Sequence, residues 1–448
     1  MTSKKNVRES ALDILETINN NQAYSNLLLN NTIKKNEIPA KDVGLLTELV
    51  YGTLQRKITL SYYLQPFLKN SKKMQSWVLT LLQLTLYQIV YLDRIPDHAA
   101  IHEAVEIAKK RGHKGISGLV NAVLRSIQRQ GLPKTELIED PIERLAVETS
   151  HPQWLVKRWA EQFGVEETQK MCELNLTPPT QTARVNTTKT TVEKCISLLE
   201  AEGFEVKKSE IIPEGIHCLK GNLANSRCFK EGLLTIQDES SMLVAYALDV
   251  KEPLSVLDAC AAPGGKSTHI AEQMGNEGSI LSVDLHEHKV KLIRQNAARL
   301  QLDNIETKAM DARKLSDVLE KGSFDRILID APCSGLGVMR RKPDIKYTKD
   351  EKDMDRLQTI QLKLLEEVSP LLKKGGLLIY STCTVDRKEN EEVVATFLEN
   401  HQEFTEDTTL ASRLPESVQG FVEDYQLQIM PQHFGSDGFY IAALKKEV

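Results

Sequence analysis

Two short stretches place a thiol where chemistry can use one. Asp330-Ala-Pro-Cys-Ser-Gly-Leu-Gly and Tyr380-Ser-Thr-Cys-Thr-Val each follow an apolar run, and they set Cys333 and Cys383 beside small and hydroxyl-bearing residues. A cysteine in an apolar core is an inert small hydrophobe, whereas one beside polar groups at a strand end is a candidate nucleophile. Four acids share that kind of position. Asp258 follows Val-Leu, Asp284 follows Ile-Leu-Ser-Val, Asp311 follows Thr-Lys-Ala-Met, and Asp330 follows Ile-Leu-Ile. One such aspartate is an ordinary cap or turn residue, but four at successive strand ends point to a common crevice.

The element that must position them is Ser255–Ser267, Ser-Val-Leu-Asp-Ala-Cys-Ala-Ala-Pro-Gly-Gly-Lys-Ser. It reads as a strand, a tight small-residue turn, and a helix from Thr268 to Met274, the opening unit of a doubly wound nucleotide-binding sheet. The glycines allow the backbone to approach a ligand, and the helix start offers free N–H groups. A phosphate loop is excluded because Cys260 stands where that motif needs glycine. Gly264-Gly265 also departs from the G-x-G-x-x-G of nicotinamide enzymes. Asp284 lies about 20 residues past the turn, the spacing of a carboxylate on ribose hydroxyls.

From Gly232 onward strands alternate with helices. Strands are predicted at Ser255–Leu257, Ser279–Val283, Ile305–Met310, Asp325–Ile329 and Gly376–Tyr380, and helices at His286–Leu300, Asp350–Leu372 and Asn390–Asn400. A parallel sheet follows, with its ligand at the carboxyl ends of the strands. Upstream, residues 145–231 read as a small α+β, RRM-like unit. Its helix begins at His151-Pro-Gln-Trp, a strand covers Thr182-Ala-Arg-Val-Asn, and a second helix covers Val192–Gly203. Arg184 and Asn186 on that strand are candidate RNA contacts. Gly131-Leu-Pro and Asp140-Pro141 mark the boundary before it.

Residues 1–135 read as helix throughout. Val7, Ala11, Ile14, Leu15 and Ile18 share one face, as do Ile116, Leu119, Val120, Val123, Leu124 and Ile127. This all-α segment carries 19 Lys and Arg against 10 Asp and Glu, a net +9, while the remainder of the chain carries −14. A basic third on an acidic body suggests a polyanionic partner. Seven scattered cysteines and no apolar signal core favour a reducing cytoplasm. No Cys/His cluster has metal-ligand spacing, so no metal is expected, and no apolar run is long enough to span a membrane.

These motifs carry a resemblance. Arg8-Glu-Ser-Ala-Leu-Asp-Ile-Leu, Glu48-Leu-Val-Tyr-Gly-Thr-Leu and Asn121-Ala-Val-Leu-Arg resemble the NusB-like RNA-binding domain. Leu257-Asp-Ala-Cys-Ala-Ala-Pro-Gly-Gly-Lys-Ser, Asp330-Ala-Pro-Cys and Ser381-Thr-Cys resemble the RNA cytosine-5 methyltransferases, as do Gln237-Asp-Glu-Ser-Ser and Gly435-Ser-Asp-Gly-Phe-Tyr. With the NusB-like front, the whole chain is similar to the Sun/Fmu (RsmB) type that acts on 16S ribosomal RNA, with cytosine-967 as the implied target.

The resemblance implies three parts: an RNA-docking domain (1–135), an RNA-positioning domain (145–231), and a Rossmann-like class I methyltransferase domain (232–448). It implies S-adenosylmethionine held by Cys260, Ala261, Ala262, Pro263, Gly264, Gly265 and Lys266, with Asp284 on ribose, Asp311 near adenine, and Asp330 in the same site. The residues alone leave open which thiol attacks. The DNA enzymes use the Pro-Cys position, here Cys333. The RNA family uses Thr-Cys, which implies Cys383 as nucleophile and Cys333 in product release. Asp330 would contact the cytosine, and Lys266 would contact cofactor or substrate. Arg340, Arg341 and Lys342 would bind phosphate. A monomer is expected. The rival readings are a transfer-RNA cytosine-5 methyltransferase and a non-enzymatic RNA-binding assembly factor.

Overall fold

The computed structural model describes residues 6–21, 25–68, 74–251 and 253–447, so the Met1–Lys5 part of the leader reading lies outside the described residues. The chain divides into two compact units. One is Met1–Thr177 with Met339–Lys349; the other is Pro178–Val338 with Asp350–Val448. Asp140-Pro141, predicted to lie at a boundary, starts a helix. The Asp140 carboxylate accepts the Ile142 and Glu143 N–H groups, and Pro141 takes the first helical position of Pro141–Thr149.

The first unit is helical. In Lys114–Gln130 the buried residues Val120, Val123, Leu124 and Ile127 follow the i, i+3, i+4, i+7 spacing. Leu119, expected on that face, lies one residue off the stripe and is 41% exposed. Several basic residues that gave the segment its charge are held by side chains of the same unit. Arg111 pairs with Asp13 and Glu16, Lys110 with Glu9, and the Arg56 guanidinium lies over the Tyr91 ring. Residues Met339–Lys349 belong here too: Gln55 Nε2 donates to the Met339 carbonyl at 3.2 Å, and the Tyr347 hydroxyl to the Leu54 carbonyl at 2.6 Å. Lys346 is fully buried in this unit, and burial pushes its ammonium down to about 7.

The second unit holds two sheets. The smaller contains β1 (Gln181–Val185), β2 (Glu205–Lys208), β3 (Gly215–Lys220) and β4 (Leu234–Ile236), antiparallel in the order β2-β3-β1-β4. With helices Val192–Ala201 and Arg227–Lys230 it makes a βαββαβ ferredoxin-like fold.

The larger sheet runs β11-β12-β13-β9-β8-β5-β6-β7, with β10 paired to β13. Its parallel part is β5 (Ser255–Asp258), β6 (Ser279–Asp284), β7 (Ile305–Ala309), β8 (Phe324–Asp330) and β9 (Leu372–Thr382). These five match the strands predicted from sequence. Val256, Leu257, Ile327, Leu328, Ile329, Leu378, Ile379 and Tyr380 are all buried, as central strands covered on both faces require. No strand is predicted from sequence beyond β9. Beyond it lie β10 (Phe404–Glu406), β11 (Val422–Glu423), β12 (Gln426–Ile429) and β13 (Phe439–Lys446), the last antiparallel to β9.

Candidate active site

Because β5 to β9 are parallel, their carboxyl ends form one edge. Asp258, Asp284 and Asp330 are the last residues of β5, β6 and β8, Asp311 follows β7, and Cys383 directly follows β9. Cys333 follows β8 by three residues. The two thiols, fifty residues apart in sequence, meet with their Sγ atoms 3.4 Å apart. That contact, followed by burial and the charges of Glu389 and Asp330, holds the Cys333 thiol well above its ordinary range.

The cysteine loops are laced together. The Ser334 and Thr384 hydroxyls lie 2.9 Å apart, and the Gly337 N–H donates to the Cys383 carbonyl at 3.0 Å. Gly438 N–H donates to the Gly337 carbonyl at 2.9 Å. A Cβ on Gly337 would fall 2.1 Å from the Gly438 carbonyl oxygen, so this crossing admits only glycine.

Lys266, in the first turn of the helix Gly265–Gln273, reaches Asp330 Oδ2 with its Nζ at 2.8 Å and lies 5.1 Å from the Phe439 ring centroid. Burial acts against the ammonium, but the Asp330 carboxylate outweighs it and holds the Lys266 pKa above the usual value. The Ser381 hydroxyl donates to Asp330 Oδ1 at 3.0 Å, so both carboxylate oxygens are oriented.

Asp258 has a different role from the other strand-end acids. It is fully buried, accepts the Ser267 hydroxyl at 2.6 Å, and burial first, with the nearby Asp330 charge, pushes it up to about 7. It ties β5 to the helix after the turn.

A cavity of about 460 Å³ opens along this edge. Of the expected cofactor residues, Cys260, Ala262, Asp284, Asp311 and Asp330 line it, together with both cysteines. Leu285, Ala312, Ile360 and Leu364 supply apolar wall beside the acids. The Arg313 guanidinium clamps Asp311 and holds its carboxyl below the usual range. Ala261, Pro263, Gly264 and Gly265 shape the turn rather than the wall. Gly264 has φ +100°, and a Cβ there would meet Ile293 at 3.1 Å. The glycine therefore serves packing against the helix Glu287–Leu300, where the sequence reading expected approach to a ligand. An acid able to meet ribose hydroxyls and an apolar wall able to meet a purine suit S-adenosylmethionine.

Arg184 and Asn186 depart from the expected surface role. Both are fully buried. Arg184 Nε and Nη2 each donate to Glu272 at 2.9 Å, Nη1 donates to Gln237 and the Gly265 carbonyl, and Nη2 also reaches Thr268. All five donors are engaged within the unit, so Arg184 ties β1 to the start of the helix Gly265–Gln273 instead of facing RNA. Asn186 accepts from the Thr188 N–H and hydroxyl and donates to the Gly232 carbonyl, as a turn residue does. In the run after β8, Arg340 is buried and its Nε donates to the Thr177 carbonyl, Arg341 is half-buried, and Lys342 is exposed. No group of His, Cys, Asp and Glu among the described residues could hold a metal ion, and no described helix is long and apolar enough to cross a membrane.

A parallel sheet with an antiparallel β13 and a crevice at the carboxyl ends of its strands is the fold of the S-adenosylmethionine-dependent methyltransferases. Comparison with known proteins agrees. Residues 245–445 match the family model for 16S rRNA methyltransferase RsmB/F, residues 5–129 the NusB family, and residues 151–223 the RsmF/B-like ferredoxin-like domain. The chain is 56% identical over 444 residues to the probable ribosomal RNA small subunit methyltransferase B of Bacillus subtilis, covering 99% of each chain. It is 36% identical to the corresponding protein of Pseudomonas syringae pv. tomato, covering 98% of this chain and 97% of that one.

Among solved structures, PH0851 superposes with a TM-score of 0.83 at 26% identity over 100% of both chains. NSun6 of Pyrococcus horikoshii, solved with SFG, an S-adenosylmethionine analogue, superposes at 0.58 and 24% identity over 66% of this chain and 98% of that one, a likeness of fold. The chain belongs to the ribosomal RNA small subunit methyltransferase B family.

Proposed function

We propose that this protein methylates carbon 5 of a cytosine in 16S ribosomal RNA, with cytosine-967 the implied site. The observation that carries the reading is the 3.4 Å approach of Cys333 and Cys383 beside the Lys266–Asp330 pair. Carbon 5 of cytosine is a poor nucleophile, and two thiols with a paired acid are what the reaction needs. S-adenosylmethionine supplies the electrophilic methyl when bound.

The Cys383 thiolate adds to carbon 6, which makes carbon 5 enamine-like and able to take the methyl. Asp330 and Lys266 hold the base edge and stabilise the charge that develops on the ring. A base then takes the carbon 5 proton, and Cys333 assists the elimination. The electrons of that bond restore the ring double bond as the Cys383 sulfur leaves carbon 6. The target base must be unstacked to enter the crevice.

In this reading residues 1–135 dock RNA, 145–231 position it, and 232–448 carry the chemistry in a cytoplasmic, monomeric enzyme. Arg341 and Lys342 contact phosphate. The test is incubation of the full chain with labelled S-adenosylmethionine and either naked 16S RNA or transfer RNA, followed by nucleoside mass spectrometry. 5-Methylcytidine in the 16S RNA alone supports the assignment. Label confined to transfer RNA, or appearing on another nucleoside, rejects it.

A further inference from the structure

Two adjacent residues outside both cysteine motifs hold the two thiol loops. Glu389 and Asn390 are fully buried between β9 and the helix Glu391–Asn400. Glu389 Oε2 accepts the Ser334 N–H at 2.8 Å and the Gln361 amide at 3.1 Å, and the same amide donates to the Pro332 carbonyl at 3.0 Å. Cys333 is thus gripped through the residues on each side of it. Asn390 does the same for Cys383. Its Oδ1 accepts the Thr382 hydroxyl at 2.6 Å, and its Nδ2 donates to the Thr384 carbonyl at 3.2 Å. The Tyr380 hydroxyl fastens the dipeptide to β9 through the Glu389 carbonyl at 2.6 Å.

From this we infer that Glu389 and Asn390 are positioning residues that set the separation of the two cysteines, Glu389 for Cys333 and Asn390 for Cys383. Neither touches the cavity. A carboxylate accepting a backbone N–H is a strong, directional bond, and in a dry interior its loss frees the loop it fixed. Nucleophile and partner must be held within fractions of an ångström for the reaction, so loosening either loop acts on chemistry before it acts on fold. The proposal rests on the cysteine roles given above only for its catalytic consequence; the spacing itself can be read without RNA.

The experiment is oxidation of the full chain by diamide, which takes two hydrogens as the Cys333 and Cys383 thiols join, with the disulfide followed by peptide mass. The wild type should cross-link readily. Glu389→Ala and Asn390→Ala should cross-link at least fivefold more slowly, and Glu389→Gln, whose Oε1 can still accept from Ser334, should restore the rate. If Glu389→Ala fails to fold, Gln361→Ala removes the Pro332 contact and one Glu389 contact and should also slow the reaction. Cross-linking of folded variants at the wild-type rate, or no disulfide in the wild type, overturns the inference. Slowed cross-linking with undiminished methyl transfer leaves the positioning intact and contradicts the cysteine roles instead.

Discussion

Lys266 Nζ lies 2.8 Å from Asp330 Oδ2, joining the first turn of the helix Gly265–Gln273 to the end of β8. The pair is partly accessible, with the lysine side chain 14% and the aspartate 27% exposed, and Asp330 lines the cavity. Lys266→Met leaves Asp330 without its cation and removes a donor from the base site. We expect methyl transfer to fall by about two to three orders of magnitude with little change in melting temperature. A kcat within a few-fold of wild type would remove Lys266 from the chemistry.

Asp258 gives a pH signature. Its folded pKa, about 7, stands above the ordinary carboxylate value of 3.8. Between those values the unfolded chain has lost the proton while the native state keeps it. Stability therefore falls as pH rises through that window and levels off above it. The contribution amounts to a loss on the order of 4 kcal/mol, at about 1.36 kcal/mol per pH unit. Asp258→Asn should be free of that loss, so wild-type stability relative to the variant should drop between about pH 4 and pH 7 in urea melts. Parallel curves would contradict the buried, protonated state.

Arg184 and Glu272 form a buried ion pair, with side chains 0% and 3% exposed. Arg184→Met strands the Glu272 carboxylate and should cost about 3–5 kcal/mol. Adding Glu272→Gln should recover part of that loss, as a double-mutant cycle reads it. A double-variant loss equal to the sum of the Arg184→Met and Glu272→Gln losses would show that the pair is not coupled.

How far the sequence carries the site can be seen in these same residues. Asp284, Asp311, Asp330, Cys333 and Cys383 were legible because strand-end position follows from local apolar runs, and a parallel sheet brings strand ends together. Arg184 was not. A strand arginine reads as a surface cation until a partner from another segment is known, and Glu272 lies 88 residues away. Asp258 resembles its three counterparts in sequence; only the helix folding back over it shows that it is sealed off. Glu389 and Asn390 sit at the start of the predicted helix Asn390–Asn400, in an acid-rich stretch whose local pattern gives no sign of burial. Strands β10 to β13 are short or follow irregular segments, and their pairing depends on β9, which local pattern does not reveal.

Lys342 is the exposed member of its basic run. As a phosphate contact it should lower RNA affinity uniformly across sequences when changed to alanine, and it should reduce the slope of log affinity against log salt by about 1. Filter binding at several salt concentrations measures this. An unchanged slope would take Lys342 out of the RNA path.

The central claim is that Cys383 attacks and Cys333 serves release. Cys333→Ala and Cys383→Ala, each incubated with S-adenosylmethionine and 16S RNA and run on a denaturing gel, test it directly. A slow-migrating protein–RNA adduct should persist in Cys333→Ala and be absent in Cys383→Ala. An adduct trapped by Cys383→Ala alone would reverse the roles and contradict the account.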